Sequence, residues 1–259
     1  MTSASRFVDK VVIVTGAATG IGRATLGRLV AEGATALAID MNEAGLTESV
    51  ELAQKGAAHG GRAEYQVASV TDEASIRRIF ADFTSRAGKL DVLVNMAGIL
   101  RAVHSTEETL EEFSRIVQVN LVGTFLCCRE ALPHLLRTRG NIVNAASTSS
   151  FFGHPYMAAY AASKGAIAAM THTLAWEYMQ QGVRVNAVAP GGISTPMTDT
   201  MKAGGFPPNT DMSLFVHLAR PDGRFGEPAN VAAVIATLAS DDGAFVNGEV
   251  VRVDGGCHS

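Results

Sequence analysis

Short apolar runs alternate with helical patterns along almost the whole chain, and this alternation restricts the fold more than any other feature. The runs typical of buried strands are residues 11–14, 34–39, 90–94, 141–145, 183–188 and 249–253. Strands separated by helices need crossover connections, so they form a parallel sheet that helices cover on both faces. The sequence therefore predicts an α/β fold with a doubly wound parallel sheet, in a single domain over residues 1–259.

A glycine-rich turn joins the first predicted strand to the first predicted helix. Gly16, Gly20 and Gly22 stand in the stretch Thr15-Gly-Ala-Ala-Thr-Gly-Ile-Gly22. Without Cβ atoms at these positions, the backbone can approach a pyrophosphate at the helix N-terminus. Glycines at a strand end also occur in plain turns, but their position at the start of a βαβ unit favours a cofactor site. The fold is therefore expected to be Rossmann-like and to bind a dinucleotide.

Asp40 ends the second predicted strand and bears on which dinucleotide binds. At this position a carboxylate can accept hydrogen bonds from a ribose 2′-hydroxyl and repel a 2′-phosphate. No arginine or lysine stands between Thr15 and Gly22, or at position 41, to bind such a phosphate. Asp40 is alternatively a turn or helix-capping residue. In this context it predicts NAD rather than NADP.

Tyr160 and Lys164 are four residues apart in a helical pattern, so they share one helix face. A lysine about 4 Å from the phenol contributes roughly 4 kcal/mol at an effective dielectric near 20, which is enough to lower a pKa of about 10 by about three units. The spacing alone is weak, because it also describes a tyrosine packed on a lysine stem. We expect an acid/base pair. Tyr156 is the other tyrosine nearby, but it has no lysine four residues later, so it is not the expected acid/base.

Two further polar residues, Ser147 and Asn120, are candidates for the active site. Ser147 follows the strand at 141–146, so its hydroxyl lies at the carboxyl edge of the sheet, where open α/β folds bind ligands. Thr148 and Ser149 are its rivals. Asn120 interrupts an apolar helical pattern over residues 113–132, where asparagine competes for backbone hydrogen bonds. Asn120 therefore has either a functional role or a role at a helix bend.

Three motifs in this order resemble the classical short-chain dehydrogenase/reductase family, over residues 11–256. They are the glycine turn at 15–22, Tyr160-Ala-Ala-Ser-Lys164, and Pro190-Gly-Gly-Ile-Ser-Thr195. The resemblance implies an NAD(H)-dependent oxidoreductase that interconverts a secondary alcohol and a ketone. The resemblance implies four catalytic residues. Asn120 holds a water that relays protons between the lysine and solvent, Ser147 orients the substrate, and Tyr160 is the acid/base. Lys164 lowers the pKa of Tyr160 and anchors the ribose.

The same resemblance implies the residues that hold the cofactor. They are Gly16, Thr19, Gly20, Ile21, Gly22, Asp40, Ser69, Val70, Asn95, Ala97, Gly98, Tyr160, Lys164, Pro190, Gly191, Ile193 and Thr195. Two positions depart from the family pattern: Met96 replaces a second asparagine, and Ser69 replaces an aspartate that binds the adenine amino group. The Ser69 hydroxyl accepts without charge assistance, so a weaker adenine contact, or one through the Val70 backbone, is expected.

Residues 197–224 form a long segment that we expect to be a substrate lid. Its apolar side chains, with Leu100, Phe151 and Phe152 beside the predicted site, indicate a rather hydrophobic alcohol or ketone. Packing of these side chains on each other or on another subunit is an equal alternative. The family resemblance implies a homotetramer.

Charge and the remaining motifs exclude several function classes. A net charge of −4 gives no basic surface for nucleic acid or an anionic membrane. No secretory signal or apolar run of spanning length is present, so we expect a cytoplasmic protein. The three cysteines and seven histidines lack metal-ligand spacing, which predicts no metal centre.

Two alternative functions stay open at this point. An NADPH-dependent carbonyl or 3-oxoacyl-thioester reductase would use the same chemistry, and Asp40 argues against it. A non-catalytic dinucleotide-binding sensor belongs to a different class. Such a sensor would have no need of Ser147, Tyr160 and Lys164 together.

Overall fold

Seven parallel strands form the centre of the fold in the computed structural model, which describes residues 5–218, 220 and 222–257. They are β1 (Val11–Thr15), β2 (Thr35–Asp40), β3 (Arg62–Val67), β4 (Val92–Asn95), β5 (Asn141–Ala145), β6 (Arg184–Pro190) and β7 (Val250–Val253). Their order is β3-β2-β1-β4-β5-β6-β7, so the sheet grows in one direction from β1 to β3 and in the other from β4 to β7. Ligands of open α/β sheets bind at such a reversal.

Eight α-helices connect these strands within the described residues. They are α1 (Gly20–Ala31), α2 (Glu43–Lys55), α3 (Glu73–Ala87), α4 (Leu110–Val117), α5 (Gly123–Thr138), α6 (Ala158–Tyr178), α7 (Pro196–Lys202) and α8 (Pro228–Ala239). Within this part of the chain, no helix is both long enough and apolar enough to cross a membrane.

The alternation of side chains along β1 explains why helices cover both faces. Val12 and Val14 pack into a core that includes side chains of α1, α2 and α8, whereas Val11 and Ile13 pack into a second core with side chains of α3, α5 and α6. Successive residues of a strand point to opposite faces, so a strand that is apolar throughout needs a helical layer on each side. The predicted single-domain, doubly wound fold is confirmed.

The sequence patterns missed one strand and misplaced one helix start. β3 carries alternating polar residues such as Arg62 and Glu64, because it is an edge strand with little to bury. The spacing of Ser105 and Glu108 predicts a capping box, but that prediction is wrong. Thr109 caps α4 by accepting from Glu112 N at 3.2 Å, while residues 104–108 form a turn in which His104 O accepts from the backbone.

The helical pattern over residues 113–132 is not one continuous helix. A π-helical turn over Gln118–Val122 separates α4 from α5, and Asn120 is its fully buried member. Thr124 Oγ1 donates to Asn120 O at 2.6 Å, which satisfies a carbonyl in the irregular turn. π-turns within helices are frequent at functional sites, and this one directs Asn120 toward the sheet.

The predicted lid segment, residues 197–224, contains α7 and a 3₁₀ helix over Met212–Leu218. Tyr156 connects it to the body of the domain: its ring stacks on Phe215 at 6.0 Å, and its hydroxyl accepts from Asp211 N at 3.0 Å. His217 Nε2 also lies 2.8 Å from Gly153 O. Ala219 and Pro221 of the predicted lid, and residues 1–4 and 258–259 of the predicted domain, lie outside the described residues.

Candidate active site

The glycine turn after β1 has the geometry of an anion cradle. A Cβ at Gly22 would lie 2.0 Å from Gly16 O, and one at Gly16, where φ is +66°, would lie 2.5 Å from Ala97 N. Thr19 precedes α1, and among the described residues its side chain makes no capping hydrogen bond and the first turn holds no acidic residue. The N–H groups at the start of α1 are therefore suited to a pyrophosphate, as a dinucleotide requires.

Asp40 stands at the carboxyl end of β2 with its carboxylate fixed in place. Its Oδ2 accepts from Ala18 N at 3.2 Å and its Oδ1 accepts from Asn42 N at 3.0 Å. Asn42, rather than Asp40, caps α2, so a helix-capping role for Asp40 is wrong, whereas the bond from Asn42 N shows that Asp40 is a turn residue. Arg23 is bound to Glu48 at 2.7 Å and to Ala18 O at 2.6 Å. The positive charge of Arg23 is thus already neutralised by Glu48.

The hydroxyl of Ser69 is held inside its own turn. Its Oγ lies 2.8 Å from Thr71 Oγ1 and accepts from Thr71 N at 3.2 Å. Val70 is buried, and a Cβ at Gly123 of α5 would lie 2.5 Å from Val70 Cγ2. Close packing at Gly123 therefore fixes Val70, whereas Ser69 has to share its hydroxyl with Thr71 in order to bind a base.

Ser147 and Tyr160 are brought together by the end of β5 and the first turn of α6. Ser147 begins a 3₁₀ turn over Thr148–Ser150, and its Oγ accepts from Ser149 N at 3.1 Å. Ser150 Oγ accepts from Ser147 N at 3.3 Å and donates to Lys164 O at 2.8 Å, which holds the turn against α6. The hydrogen of the Ser147 hydroxyl can therefore be donated to the Tyr160 oxygen or to a ligand oxygen.

Lys164 is only 4 % exposed and reaches across to the sheet. Its Nζ donates to Ala145 O at 2.7 Å and lies 5.7 Å from the centroid of the Tyr160 ring. Burial lowers the pKa of Lys164 to about 8. The ammonium thus retains two donors for a ligand, and it lies beside the ring of Tyr160.

The pKa of Tyr160 differs from the sequence-based expectation. Burial raises the pKa of the phenol, and the hydrogen bond from Ser147 offsets part of this rise. The expectation placed Lys164 about 4 Å from the phenol, where it would lower the pKa. In the structure the ammonium donates to Ala145 O, and burial is the largest influence on the pKa of Tyr160.

Asn120 is linked to the catalytic helix by hydrogen bonds through Ser163. Its Oδ1 accepts from Ile99 N at 2.8 Å, and its Nδ2 donates to Ile99 O at 3.0 Å and to Ser163 Oγ at 3.0 Å. Ser163 Oγ in turn donates to Tyr160 O at 2.7 Å. A Cβ at Gly98 would lie 3.2 Å from Asn120 Oδ1 and 3.5 Å from Lys164 Nζ, so both polar groups lie close to Gly98.

Asn95 joins the two central strands beneath the site. Its Nδ2 donates to Asn144 Oδ1 at 3.0 Å, and Asn144 Nδ2 donates to Thr171 Oγ1 at 3.0 Å. The neighbouring thiol of Cys128 lies 3.3 Å from Asn95 Nδ2, and burial raises its pKa. This polar network connects β4 and β5 with α5 and α6, and it fixes the sheet edge that carries Ser147.

A single cavity of about 530 Å³ runs from Asp40 to the segment 197–224, which is the predicted lid. The predicted residues that line it are Gly16, Thr19, Gly20, Ile21, Gly22, Asp40, Ser69, Val70, Ala97, Gly98, Ser147, Tyr160, Lys164, Pro190, Gly191, Ile193 and Thr195. Asn95 and Asn120 are buried at 2 % and 0 % exposure and support this wall from inside the protein. The structure thus brings the sequence-predicted residues to one edge of the sheet.

The substrate end of the cavity differs from the sequence-based expectation. Leu100 lines it as expected, but Phe151 and Phe152 line a separate surface groove. Met157 and His154 line the cavity, and sequence patterns did not select them as site residues. Only their position between Ser147 and Tyr160 could have indicated that Met157 and His154 line the cavity. The loop that joins the end of β5 to α6 must border the site, because both elements contribute to it.

The burial of Lys164 leads to a prediction about stability. Its pKa is about 8 in the folded protein and 10.5 unperturbed, so the buried charge destabilises the fold below pH 8, and this cost is relieved as the pH rises toward 10.5. The charge costs up to about 3 kcal/mol, partly offset by the bond to Ala145 O. We therefore expect Lys164→Met to raise the unfolding free energy by roughly 1 to 2 kcal/mol at pH 7.

Urea unfolding of the Lys164→Met variant at pH 7 and at pH 10 measures this effect. The gain in unfolding free energy should shrink at the higher pH, where the wild-type lysine has lost its proton. Lys55→Met, which changes an exposed lysine at the end of α2, serves as the control and should alter stability little at either pH. A variant that is strongly destabilised at pH 7 would show that the charge stabilises the fold.

Among the described residues, no group of three or more histidine, cysteine, aspartate and glutamate side chains could hold a metal ion. Cys127 and Cys128 are buried, and burial raises the pKa of both thiols, so neither is a ready nucleophile at neutral pH.

Comparison with known proteins supports a common family. A family profile described as enoyl-(acyl carrier protein) reductase matches residues 16–258. The chain is 38 % identical to a 3-oxoacyl-(acyl-carrier-protein) reductase of Thermotoga maritima, covering 97 % of this chain and 98 % of the relative. It is 37 % identical to a meso-2,3-butanediol dehydrogenase of Serratia marcescens, covering 97 % and 95 %.

Solved structures agree with these relatives. A levodione reductase structure superposes with a TM-score of 0.88 at 36 % identity, covering 97 % of this chain and 98 % of that one. A short-chain dehydrogenase of Mycobacterium paratuberculosis bound to NAD superposes with a TM-score of 0.91 at 29 % identity, covering 98 % and 99 %. Together with the arrangement of Ser147, Tyr160 and Lys164 at one sheet edge, these similarities show that the chain belongs to the short-chain dehydrogenase/reductase family of oxidoreductases, which bind a nicotinamide dinucleotide.

Proposed function

We propose that this chain is an NAD(H)-dependent oxidoreductase that interconverts a secondary alcohol and a ketone. The observation that carries the proposal is the shared cavity, which contains the glycine turn and Asp40 at one end and Ser147, Tyr160 and Lys164 at the other. A dinucleotide laid along this cavity places its reactive ring near the tyrosine. When bound, the nicotinamide accepts or supplies the hydride.

The side chains of the protein transfer the hydroxyl proton of the substrate. In alcohol oxidation, the Tyr160 oxygen accepts the hydroxyl proton while the Ser147 hydroxyl donates to the substrate oxygen and keeps it in place. In ketone reduction, Tyr160 returns the proton. Lys164 stabilises the phenolate form by its charge and offers its remaining donors to ribose hydroxyls. Asn120 holds α6 through Ser163 and lines the proposed water relay to Lys164.

Asp40 supports NAD rather than NADP as the cofactor. Two backbone N–H groups hold its carboxylate, and the positive charge of Arg23 is paired with Glu48, so a 2′-phosphate would meet an anion without a compensating cation from Arg23. Unit charges about 4 Å apart repel by about 1 kcal/mol in water and about 4 kcal/mol at an effective dielectric of 20. This repulsion favours the unphosphorylated ribose.

Asp40→Asn tests the cofactor choice, because it removes the charge and keeps the shape. We expect kcat/KM with NADP to rise about tenfold or more and kcat/KM with NAD to fall by a smaller factor. The measurement is the rate with each cofactor at a fixed alcohol concentration. Glu43→Gln, an exposed carboxylate at the start of α2, is the matched control and should leave both rates unchanged. A wild-type protein that prefers NADP would overturn this part of the proposal.

A second candidate function uses the same residues on a different substrate. The similarity to the 3-oxoacyl-(acyl-carrier-protein) reductase favours a carbonyl or 3-oxoacyl-thioester reductase that uses NADPH. Asp40 argues against this cofactor. A non-catalytic dinucleotide sensor is disfavoured because it would not need Ser147 and Lys164 beside Tyr160.

The lid, the oligomeric state and the cellular location of the protein are predictions. The segment 197–224 is proposed to act as a lid, supported by the contacts of Tyr156 with Phe215 and Asp211. The homotetramer is proposed by family resemblance, and light scattering of the purified protein measures it. The cytoplasmic location is likewise a prediction, and fractionation of the source cells tests it.

A further inference from the structure

Thr148 and His154 form a polar pair beside Ser147 in the cavity wall. Thr148 Oγ1 lies 3.3 Å from His154 Nε2, and His154 Nδ1 lies 3.1 Å from Phe152 O. Both side chains line the cavity that contains Ser147 and Tyr160. Thr148 is only 1 % exposed, so its hydroxyl is removed from bulk water and depends on the histidine and the cavity contents for partners.

The hydrogen bonds of His154 determine what this pair offers to a ligand. A carbonyl oxygen can only accept, so in the neutral imidazole the hydrogen is assigned to Nδ1, which donates to Phe152 O. Nε2 then accepts from the Thr148 hydroxyl. With its hydrogen donated, Thr148 Oγ1 keeps its capacity to accept a hydrogen bond from a ligand in the cavity that Thr148 lines. The pair is thus suited to a ligand group that donates, such as a hydroxyl.

The surrounding wall has the opposite character. Leu100, Met157, Met201, Phe206 and Phe215 supply apolar side chains to the same end of the cavity. A polar pair in such a wall selects for a substrate with a polar group opposite it. An alkyl group opposite Thr148 and His154 would place their polar atoms against an apolar surface. Ser147 and Thr148 are consecutive residues, and both line the cavity that also contains Tyr160. The pair therefore stands next to Ser147 in the cavity wall.

We propose that Thr148 and His154 form a second substrate subsite, which accepts a hydrogen bond from a hydroxyl on the carbon next to the reacting one. The preferred substrates are then vicinal diols in the oxidation direction and α-hydroxyketones in the reduction direction, with alkyl or ring carbons against the apolar wall. This inference rests on the proposed oxidoreductase function and names the substrate class for that site. Ser147 and Tyr160 act on the first oxygen, while Thr148 and His154 select the second.

Matched pairs of alcohols test the subsite in the wild-type protein. The pairs are sec-butanol with the vicinal butanediols, and cyclohexanol with the vicinal cyclohexanediols, each oxidised with NAD+. We expect kcat/KM to be at least about 100-fold higher for a diol than for the alcohol that lacks its second hydroxyl, in at least one pair. Oxidation of the simple alcohols at the same efficiency as the diols in both pairs would overturn the subsite and leave the proposed function intact.

Variants of Thr148 and His154 test whether these two residues cause the selectivity for diols over simple alcohols. Thr148→Val keeps the shape and removes the hydroxyl, and His154→Phe keeps a flat ring and removes both nitrogens. Each should lower the diol-to-alcohol ratio about tenfold or more, because kcat/KM should fall much further for the diol than for the simple alcohol. Thr148→Ser, which restores a hydroxyl, should recover most of the ratio. Thr173→Val and His172→Phe, both exposed on α6, are the controls and should leave the ratio unchanged.

The outcomes separate the subsite from the wider proposal. NAD+ titration by fluorescence confirms that each variant is folded before rates are compared. An unchanged ratio in folded Thr148→Val and His154→Phe overturns the subsite, even if the wild type prefers diols. Absence of turnover with all four compound types in the wild type contradicts the proposed function and the subsite together.

Discussion

Replacing Tyr160 by phenylalanine is expected to lower kcat by about 10³-fold, while the affinity for NAD+ changes less than about threefold. The ring of Phe fills the same space in α6, but no oxygen remains to exchange the proton with the substrate. Ser147 cannot take over this task, because its Oγ accepts from Ser149 N and has no adjacent base besides the tyrosine among the described contacts. The loss should therefore fall on kcat, with KM altered little.

Steady-state rates and a cofactor titration of the same protein sample measure both quantities. Tyr178→Phe, at the other end of α6, removes a phenol outside the cavity and should leave kcat unchanged. Wild-type turnover by Tyr160→Phe would show that another group exchanges the proton. Loss of NAD+ binding together with kcat would show instead that Tyr160 acts mainly in holding the cofactor.

The second large effect is expected at Gly22, where even one methyl group has no room. A Cβ there would lie 2.0 Å from Gly16 O, so Gly22→Ala forces the glycine turn away from α1. We expect the affinity for NAD+ to fall about 100-fold and the unfolding free energy to fall by roughly 1 to 3 kcal/mol. In the proposed binding mode the turn and the helix N-terminus hold the pyrophosphate together, so a shift between them costs more in binding than in folding.

Gly27 in the same helix provides a matched control. A Cβ at Gly27 meets nothing within 4 Å of the described structure, so Gly27→Ala should raise the unfolding free energy by roughly 0.5 to 1 kcal/mol and leave NAD+ binding unchanged. Urea unfolding and cofactor titration compare the two variants directly. Equal NAD+ affinity in Gly22→Ala and Gly27→Ala would contradict the cradle at the start of α1.

The features that the sequence predicted are those that depend on local patterns. Apolar runs such as residues 11–14 predict buried strands because a strand between two helical layers must be apolar on both faces. The position of Ser147 follows from the same rule, since a residue after a parallel strand lies at the carboxyl edge. β3 escaped prediction because an edge strand needs little apolar surface, and its polar residues resemble a loop.

Features that depend on distant contacts could not be read in the same way. Asn120 in the π-turn accepts from the backbone of Ile99, and the pKa of Tyr160 is set by burial and by its contact with Ser147. The pairing of Thr148 with His154 likewise depends on how the loop after β5 folds back over the cavity. None of these contacts leaves a periodic signal in the sequence, because each joins residues through the shape of the whole domain.

Hydride transfer between NAD and a secondary alcohol, with Tyr160 as the acid/base, can be measured in one experiment. The purified chain is incubated with NAD+ and the alcohol panel, and the ketone and NADH are quantified in the same samples. We expect ketone and NADH in equal amounts from the wild type and almost none from Tyr160→Phe. Tight NAD+ binding with no ketone from any alcohol would rule out the proposed oxidoreductase and favour a dinucleotide sensor.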